Sequence, residues 1–210
     1  MNKNCIHSVT FFKNYGISFN RPKNKSLQTL TDNVLMMKVK SGDLDKLGLL
    51  YERHKKKLFG FFYNMGNNPS LSEDLVQNVF VRILKYRQSF TGEGPFTAWM
   101  FSMARNVHYD HHKKVSREGV SRNVSPEQVD RGTGDYLNEA MDLQGDAHLL
   151  RRALGLLSAE KKEILLLSKY RELKFQEIGE ILGCSEGAAK VRVHRALKDL
   201  KTIFLQLETR

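Results

Sequence analysis

The first half of the chain contains three stretches in which apolar residues return every three or four positions. The first stretch spans residues 43–65 and the third spans residues 96–107. Between them, Ser70 and Glu73 precede a single apolar stripe made of Leu75, Val76, Val79, Phe80, Ile83 and Leu84. This spacing predicts amphipathic helices, and the Ser70–Glu73 pair is typical of a helix N-terminus. No strand-like alternation is long enough to predict a sheet, so this half is expected to be helical.

Residues 115–145 have a different character, because they are rich in glycine and serine and poor in large apolar side chains. Such a composition predicts a flexible linker, with one short helix near residues 136–141. Helical periodicity returns over residues 146–207. The expected fold class is therefore all-α, with two small helical domains, residues 31–114 and 146–207, joined by the linker.

The first thirty residues contain no acidic side chain and no clear period. We expect a disordered basic tail that adds only screened, sequence-independent attraction to a polyanion. Because the helical pattern starts near Met36, a chain beginning at Met36 is expected to keep its function.

The charge balance of the chain narrows the class of its partners. Lysine and arginine number 34 against 23 acidic residues, a net charge of +11 over 210 residues. A balance this basic favours nucleic acid as partner. The two cysteines, Cys5 and Cys184, form neither a disulfide framework nor a zinc pattern, which suits a reducing cytoplasm. No apolar run is long enough for membrane insertion, and no signal peptide is evident.

A helix-turn-helix is predicted near the C-terminus, where a short helix over residues 175–182 precedes a longer one over residues 186–207. Gly183 suits the left-handed residue that ends a helix, and Ser185 can cap the next helix. Gly179 is small enough to permit close approach of that helix.

The second helix of this unit has an unusual outer face. Its inner arc carries Ala189, Val193, Ala196, Leu197, Leu200 and Phe204, and its outer arc carries Ala188, Val191, Arg192, His194, Arg195 and Lys198. A solvated face has little need of Ala188 and Val191, whereas a helix in the major groove uses apolar groups on thymine methyls and cations on guanines and phosphates. The alternative is an ordinary surface helix with a stray valine.

Aromatic residues gather around the loop at residues 89–95. Phe96 and Trp99 share the apolar stripe of the following helix, so we expect them in the core. Phe90 is expected to be more open, and an open ring beside cations can stack an unpaired base.

Three histidines lie near the C-terminal end of the first domain, at positions 108, 111 and 112, with Asp110 between them. Their spacing can hold a metal ion, but no second ligand cluster supports one, so a polar helix end facing DNA is the preferred interpretation. We expect no metal and no cofactor.

Three segments together resemble a known family. They read SEDLVQNVFVRILKY, GPFTAWMFSMARNVHYDHHKK and LSAEKKEILLLSKYRELKFQEIGEILGCSEGAAKVRVHRALKDL. In this order they are similar to regions 2 and 4 of the extracytoplasmic-function (ECF) sigma factors, which belong to the sigma-70 family of bacterial RNA polymerase. The likeness covers residues 34–204 apart from the linker; the tail has no counterpart, and Ala189 stands where the family often has a larger β-branched residue.

The resemblance implies a role for each of three residue sets. The set that docks on core RNA polymerase is Asp74, Leu75, Gln77, Asn78, Phe80 and Arg82. The set that binds and melts the −10 element is Phe90, Thr91, Gly92, Glu93, Arg105, Asn106, Lys113 and Lys114. The set that reads the −35 element is Glu186, Gly187, Ala188, Lys190, Val191, Arg192, His194, Arg195 and Lys198.

The implied protein is a cytoplasmic, non-catalytic initiation factor that binds core RNA polymerase and promoter DNA, with an anti-sigma factor as a further partner. Two other interpretations stay open at this point. One is a dimeric helix-turn-helix repressor or activator, which would need a dimerisation helix and an effector domain. The other is a nucleic-acid enzyme built on the histidines, which would need carboxylate ligands on a shared face.

Overall fold

The computed structural model describes residues 30–66, 68–119, 144–169 and 173–209. In this part of the chain all regular secondary structure is helical and there is no strand. The all-helical prediction is confirmed. The helices are α1 (Asp32–Lys40), α2 (Asp45–Gly66), α3 (Pro69–Lys85), α4 (Phe96–Gly119), α5 (Gln144–Gly155), α6 (Ala159–Lys169), α7 (Phe175–Leu182) and α8 (Glu186–Glu208), with a short 3-10 turn at Arg87–Ser89.

The N-terminal domain is built by α1 to α4, each of which packs on the next or on α2. Its centre holds large side chains with no exposed surface, among them Phe61, Phe80 and Phe101. Phe61 meets Phe101 edge to face at a centroid distance of 5.7 Å. Burying each such ring contributes roughly 1.5–3 kcal/mol, so the apolar stripes of the sequence account for the association of these helices.

Helix α3 begins slightly earlier than its sequence pattern predicts. Asn68 is the N-cap, because its Oδ1 accepts a hydrogen bond from the Leu71 N–H at 2.9 Å, and Pro69 occupies the first turn. The prediction of Ser70 as cap is wrong. Proline at the first helical position loses no intrahelical hydrogen bond, so the helix extends back to it.

The predicted linker boundary at residue 115 is also wrong, because α4 continues to Gly119. Nothing in residues 115–118 interrupts a helix, and the first glycine stands at its end. Helix α5 begins at Gln144. The short helix predicted near residues 136–141 and the tail at residues 1–29 lie outside the described residues.

Helix α1 is tied to the domain by its first residues. Asp32 accepts hydrogen bonds from Arg53 and His54, each at 2.6 Å. Partial burial by itself would raise the pKa of Asp32, but these two partners outweigh it and lower that pKa to about 2. A chain starting at Met36 would lack Asp32 and these two hydrogen bonds; that it keeps its function stays a prediction, and the lost contacts argue against it.

The C-terminal domain is built by α5 to α8, with α8 packed on the other three. Its core contains Leu167, Ile178, Ala189 and Val193. Leu197, predicted to face inward, is 51% exposed. It lies at the edge of the inner arc, whereas Ala196 beside it is buried and Leu200 one turn later packs against the core.

The two domains contact each other directly, α4 against α7 and α2 against α6. Over the described residues, no helix is long and apolar enough to cross a membrane.

Candidate nucleic-acid and protein interfaces

The helix-turn-helix has the geometry that its sequence predicts. Gly183 ends α7 in the left-handed conformation, with φ of 68°. Ser185 Oγ accepts a hydrogen bond from the Ala188 N–H at 3.2 Å and so caps α8. A Cβ atom on Gly179 would lie 2.5 Å from the Cys184 carbonyl oxygen, so the turn requires glycine there.

The outer face of α8 is open to solvent. Every residue of the predicted −35 set is exposed except Ala188, which is half-buried, and Val191 has 49% of its surface exposed. Lys190 pairs with Glu186 one turn earlier at 2.6 Å. The outer face of α8 thus presents the apolar side chains of Ala188 and Val191 among cations, while its inner face packs on the domain. This matches what a major-groove helix requires.

The loop at residues 90–95 departs from the prediction at its first residue. The Phe90 side chain is only 3% exposed, and its ring lies 5.2 Å from that of Trp99 and 6.2 Å from that of Phe96. The expectation that Phe90 offers an open stacking face is wrong. Packing the Phe90 ring against Phe96 and Trp99 removes apolar surface of all three rings from water, which favours burial. Phe96 is buried, as predicted, and Trp99 is partly buried.

The rest of this loop is accessible. Thr91 and Glu93 are exposed, and Gly92 adopts φ of 83°, a conformation that favours glycine. Between the loop and α1 lies an open groove of about 570 Å³, lined by Asn33, Val34, Met37, Lys38, Ser41, Thr91 and Gly92.

Helix α1 holds this loop in place, a role that sequence reasoning missed. The Asn33 amide nitrogen donates to the Gly94 carbonyl at 2.9 Å and to the Gly92 carbonyl at 3.3 Å. Its amide oxygen accepts from the Phe96 N–H at 2.7 Å. Lys40 Nζ donates to the Phe90 carbonyl at 2.6 Å. No local signal marks these partners, because about sixty residues of chain separate Asn33 from the groups it binds.

The remaining residues of the predicted −10 set follow along α4 and are not gathered at the loop. Asn106, Lys113 and Lys114 are exposed. At a rise of 1.5 Å per residue, Lys113 lies about 25 Å along the helix from Phe96. The set therefore forms a strip along α4 with the loop at one end.

Arg105 of that strip is engaged by the C-terminal domain. Its Nε lies 3.2 Å from a carboxylate oxygen of Glu163 on α6, and Tyr109 donates to the other oxygen at 3.3 Å. Burial raises the pKa of Glu163, while the Arg105 charge opposes that rise. Burial and the Glu163 charge also raise the pKa of Tyr109. An arginine and a buried carboxylate thus join the two domains.

The predicted polymerase-docking set on α3 divides into two groups. Leu75 and Phe80 are 4% and 0% exposed, so the expectation that they contact a partner is wrong; they belong to the core stripe. The outer side carries exposed Asp74 and Asn78 and half-buried Gln77. The half-buried Arg82 pairs with Asp110 of α4 at 2.6 Å.

A hydrogen bond joins two members of the histidine cluster. His108 Nε2 and His112 Nε2 lie 3.1 Å apart. Burial, together with the nearby His112, His111 and Lys162, lowers the pKa of His108 to about 4. Among the residues that the structure describes, no group of three histidine, cysteine or acidic side chains is placed to hold a metal ion.

Comparison with known proteins matches both domains. The family model of Sigma-70 region 2 matches residues 50–118, and that of Sigma-70, region 4 matches residues 147–200. RNA polymerase sigma factor CarQ of Myxococcus xanthus is 31% identical over 175 residues, covering 82% of this chain and 97% of CarQ. ECF RNA polymerase sigma factor SigL of Mycobacterium tuberculosis is 29% identical over 163 residues, covering 75% of this chain and 88% of SigL.

Solved structures of similar fold include two complexes. The sigma factor RpoE in complex with the anti-sigma factor NepR, from Bartonella quintana, has a TM-score of 0.62 at 27% identity and covers 74% of this chain and 94% of RpoE. CnrH in complex with the cytosolic domain of CnrY has a TM-score of 0.58 at 23% identity, which shows a common fold.

Proposed function

Because this chain belongs to the ECF group of the sigma-70 family of RNA polymerase sigma factors, we propose that its two domains divide promoter recognition between them. It is a transcription initiation factor and not an enzyme. In this proposal residues 31–114 bind core polymerase and the −10 element, and residues 146–207 bind the −35 element.

The observation that carries the proposal is the outer face of α8. A glycine turn and a serine cap hold this helix, and Val191, Arg192, Arg195 and Lys198 lie exposed on it. Arginine can bind a guanine edge and valine can contact a thymine methyl, while Lys198 can reach phosphate. The other residues of the −35 set border this face.

Core polymerase is proposed to dock on the outer side of α3. Asp74, Gln77 and Asn78 present polar groups there, while the opposite side of the helix is committed to the core. A partner that uses these three residues can bind without disturbing folding.

The −10 element is proposed to lie along the loop and the strip on α4. Thr91 and Gly92 line the groove beside α1. Glu93 follows them and is exposed, and Lys113 supplies charge farther along the strip. Since Glu163 holds Arg105, a contact between Arg105 and DNA requires the two domains to separate. Separation is compatible with a chain of more than twenty residues between Gly119 and Gln144.

An anti-sigma factor is the further partner that we propose. The support is the similarity, at 27% identity, to a sigma factor solved with its anti-sigma factor. We also infer that the protein acts in the cytoplasm, where bacterial polymerase and chromosome meet.

The test is run-off transcription with core polymerase on a library of genomic fragments. We expect transcripts that start at a common sequence pattern only when this protein is added. Gln77→Ala with Asn78→Ala should weaken polymerase binding with an unchanged circular dichroism spectrum, and Gln206→Ala, an exposed change at the end of α8, is the matched control. Specific binding to duplex DNA as a dimer, with no polymerase dependence, would contradict the proposal and favour a repressor or activator.

A further inference from the structure

We propose that Asn33 on α1 is a positioning residue for −10 recognition, because it sets the conformation of the loop at residues 90–95. This inference rests on the proposed function of that loop. Asn33 lies outside residues 50–118, the part matched to Sigma-70 region 2, and belongs to none of the three residue sets described above.

Both the NH2 group and the oxygen of the Asn33 amide form hydrogen bonds with the loop and the start of α4. Its NH2 group donates to the carbonyls of Gly92 and Gly94, and its oxygen accepts from the Phe96 N–H. Rotating the amide by 180° would place its oxygen against two carbonyls and its NH2 group against an N–H. The network therefore permits one orientation only, and that orientation specifies where both glycines lie.

The loop needs such a support because its own sequence provides little. Gly92 and Gly94 allow many backbone conformations, and within residues 91–95 the one side-chain hydrogen bond runs from the Glu93 N–H to Thr91 Oγ1, at 3.3 Å. The buried Phe90 ring and the Lys40–Phe90 hydrogen bond anchor the first residue of the loop. Asn33, which lies on α1, anchors the middle of the loop at Gly92 and its far end at Gly94 and Phe96.

The same contacts make α1 the second wall of the groove. Val34 and Met37 are 41% and 44% exposed and lie across the groove from Thr91 and Gly92. Lys38 adds positive charge to this wall. A DNA strand that contacts the exposed face of Thr91 and Glu93 meets a surface whose shape depends on how closely Asn33 holds the loop to α1.

Two substitutions separate the positioning role from a general effect on folding. In Asn33→Asp, one carboxylate oxygen can still accept from the Phe96 N–H, so the start of α4 keeps its partner. The other oxygen faces the Gly92 and Gly94 carbonyls, which repels the loop. Asn33→Ala removes all three hydrogen bonds. The matched control is Asn68→Ala, which removes the cap of α3 in the same domain and does not touch the loop.

The experiment is selection by holoenzyme from a promoter library with a randomised −10 element and a constant −35 element, run well below the melting temperature of every variant. For both Asn33 variants we expect the enrichment of preferred −10 sequences to fall at least tenfold relative to wild type. Selection at a randomised −35 element and affinity for core polymerase should stay within twofold of wild type. Asn68→Ala should lower the melting temperature and leave the −10 profile unchanged.

Three results would overturn the inference. If wild type is selective and Asn33→Asp enriches the same −10 sequences within twofold, Asn33 does not position the loop, although the proposed function stands. If Asn68→Ala shifts the −10 profile as much as Asn33→Asp, the effect is one of stability. If wild-type holoenzyme shows no −10 preference, the proposed function fails and this inference fails with it.

Discussion

Removing Arg105 should separate the two domains, because it leaves a buried carboxylate without its cation. Glu163 is 3% exposed and its nearest charged partner is Arg105, at 3.2 Å. In Arg105→Ala the docked form must bury the Glu163 carboxylate against the Tyr109 hydroxyl without the arginine charge. The separated form can return that carboxylate to water.

The size of the effect follows from the burial of the two partners. Breaking a buried ion pair by removing one member costs about 3–5 kcal/mol. Because the Arg105 side chain is 28% exposed, part of its attraction is already screened, and we expect about 2 kcal/mol. That free energy shifts the ratio of docked to separated forms by a factor of about 30.

We expect the unpaired charge of Glu163 to cause this separation more than the loss of the Arg105 side-chain contacts. Two further measurements distinguish these two causes. Adding Glu163→Gln to Arg105→Ala should restore docking, since a neutral amide is cheaper to bury than a carboxylate. Burial already raises the pKa of Glu163, and losing Arg105 raises it further. A raised pKa favours the docked form at low pH, so Arg105→Ala should dock as pH falls toward the ordinary glutamate pKa of 4.5 and separate as pH rises.

The assay is small-angle X-ray scattering without DNA, combined with limited proteolysis between residues 119 and 144. Arg105→Ala should show a larger radius of gyration and faster cleavage than wild type at neutral pH. Arg117→Ala, an exposed change on the same helix, is the control. A compact Arg105→Ala at neutral pH, or a double variant that stays as open as the single one, would refute the reasoning.

Two other predictions concern Asp32 and the face of α8. The pKa of Asp32 is lowered from 3.8 to about 2, so its contribution to stability, about 1–2 kcal/mol after solvent screening, is present above about pH 5 and lost as pH falls toward 2. Urea unfolding from pH 7 to pH 3 should show Asp32→Asn less stable than wild type at pH 7, with the gap narrowing below pH 5; a constant gap would contradict the linkage. If Arg195 reads a base, Arg195→Ala should cost about 1–3 kcal/mol at one −35 position. If Lys201 contacts phosphate, Lys201→Ala should weaken binding to all −35 sequences alike and lower the salt dependence of binding. Equal sequence profiles of Arg195→Ala and Lys201→Ala on a randomised −35 library would contradict this distinction.

Most helices of this protein could be predicted because their signals are local. The apolar stripe on α3 and the Gly183–Ser185 turn depend on residues within a few positions of each other, and hydrogen bonds of a helix join residues four apart. The errors at the start of α3 and the end of α4 are each shorter than two helical turns. A capping asparagine decided the first boundary, and a run without proline or glycine decided the second. The exposed face of α8 follows from the same periodicity, so its residues can be predicted from the sequence without the surrounding helices.

What the sequence by itself determined, then, is which segments are helical and which face of each is apolar. Only the tertiary structure decided that Phe90 is buried with Trp99, that Asn33 holds the loop and that Glu163 engages Arg105. Each of these contacts joins groups that are far apart in sequence or depends on how several helices pack. The periodicity of apolar residues along one helix does not predict which residues of other elements it will contact. Burial of a ring or a charge is a property of the assembled surface around it, and that surface exists only after the helices have packed.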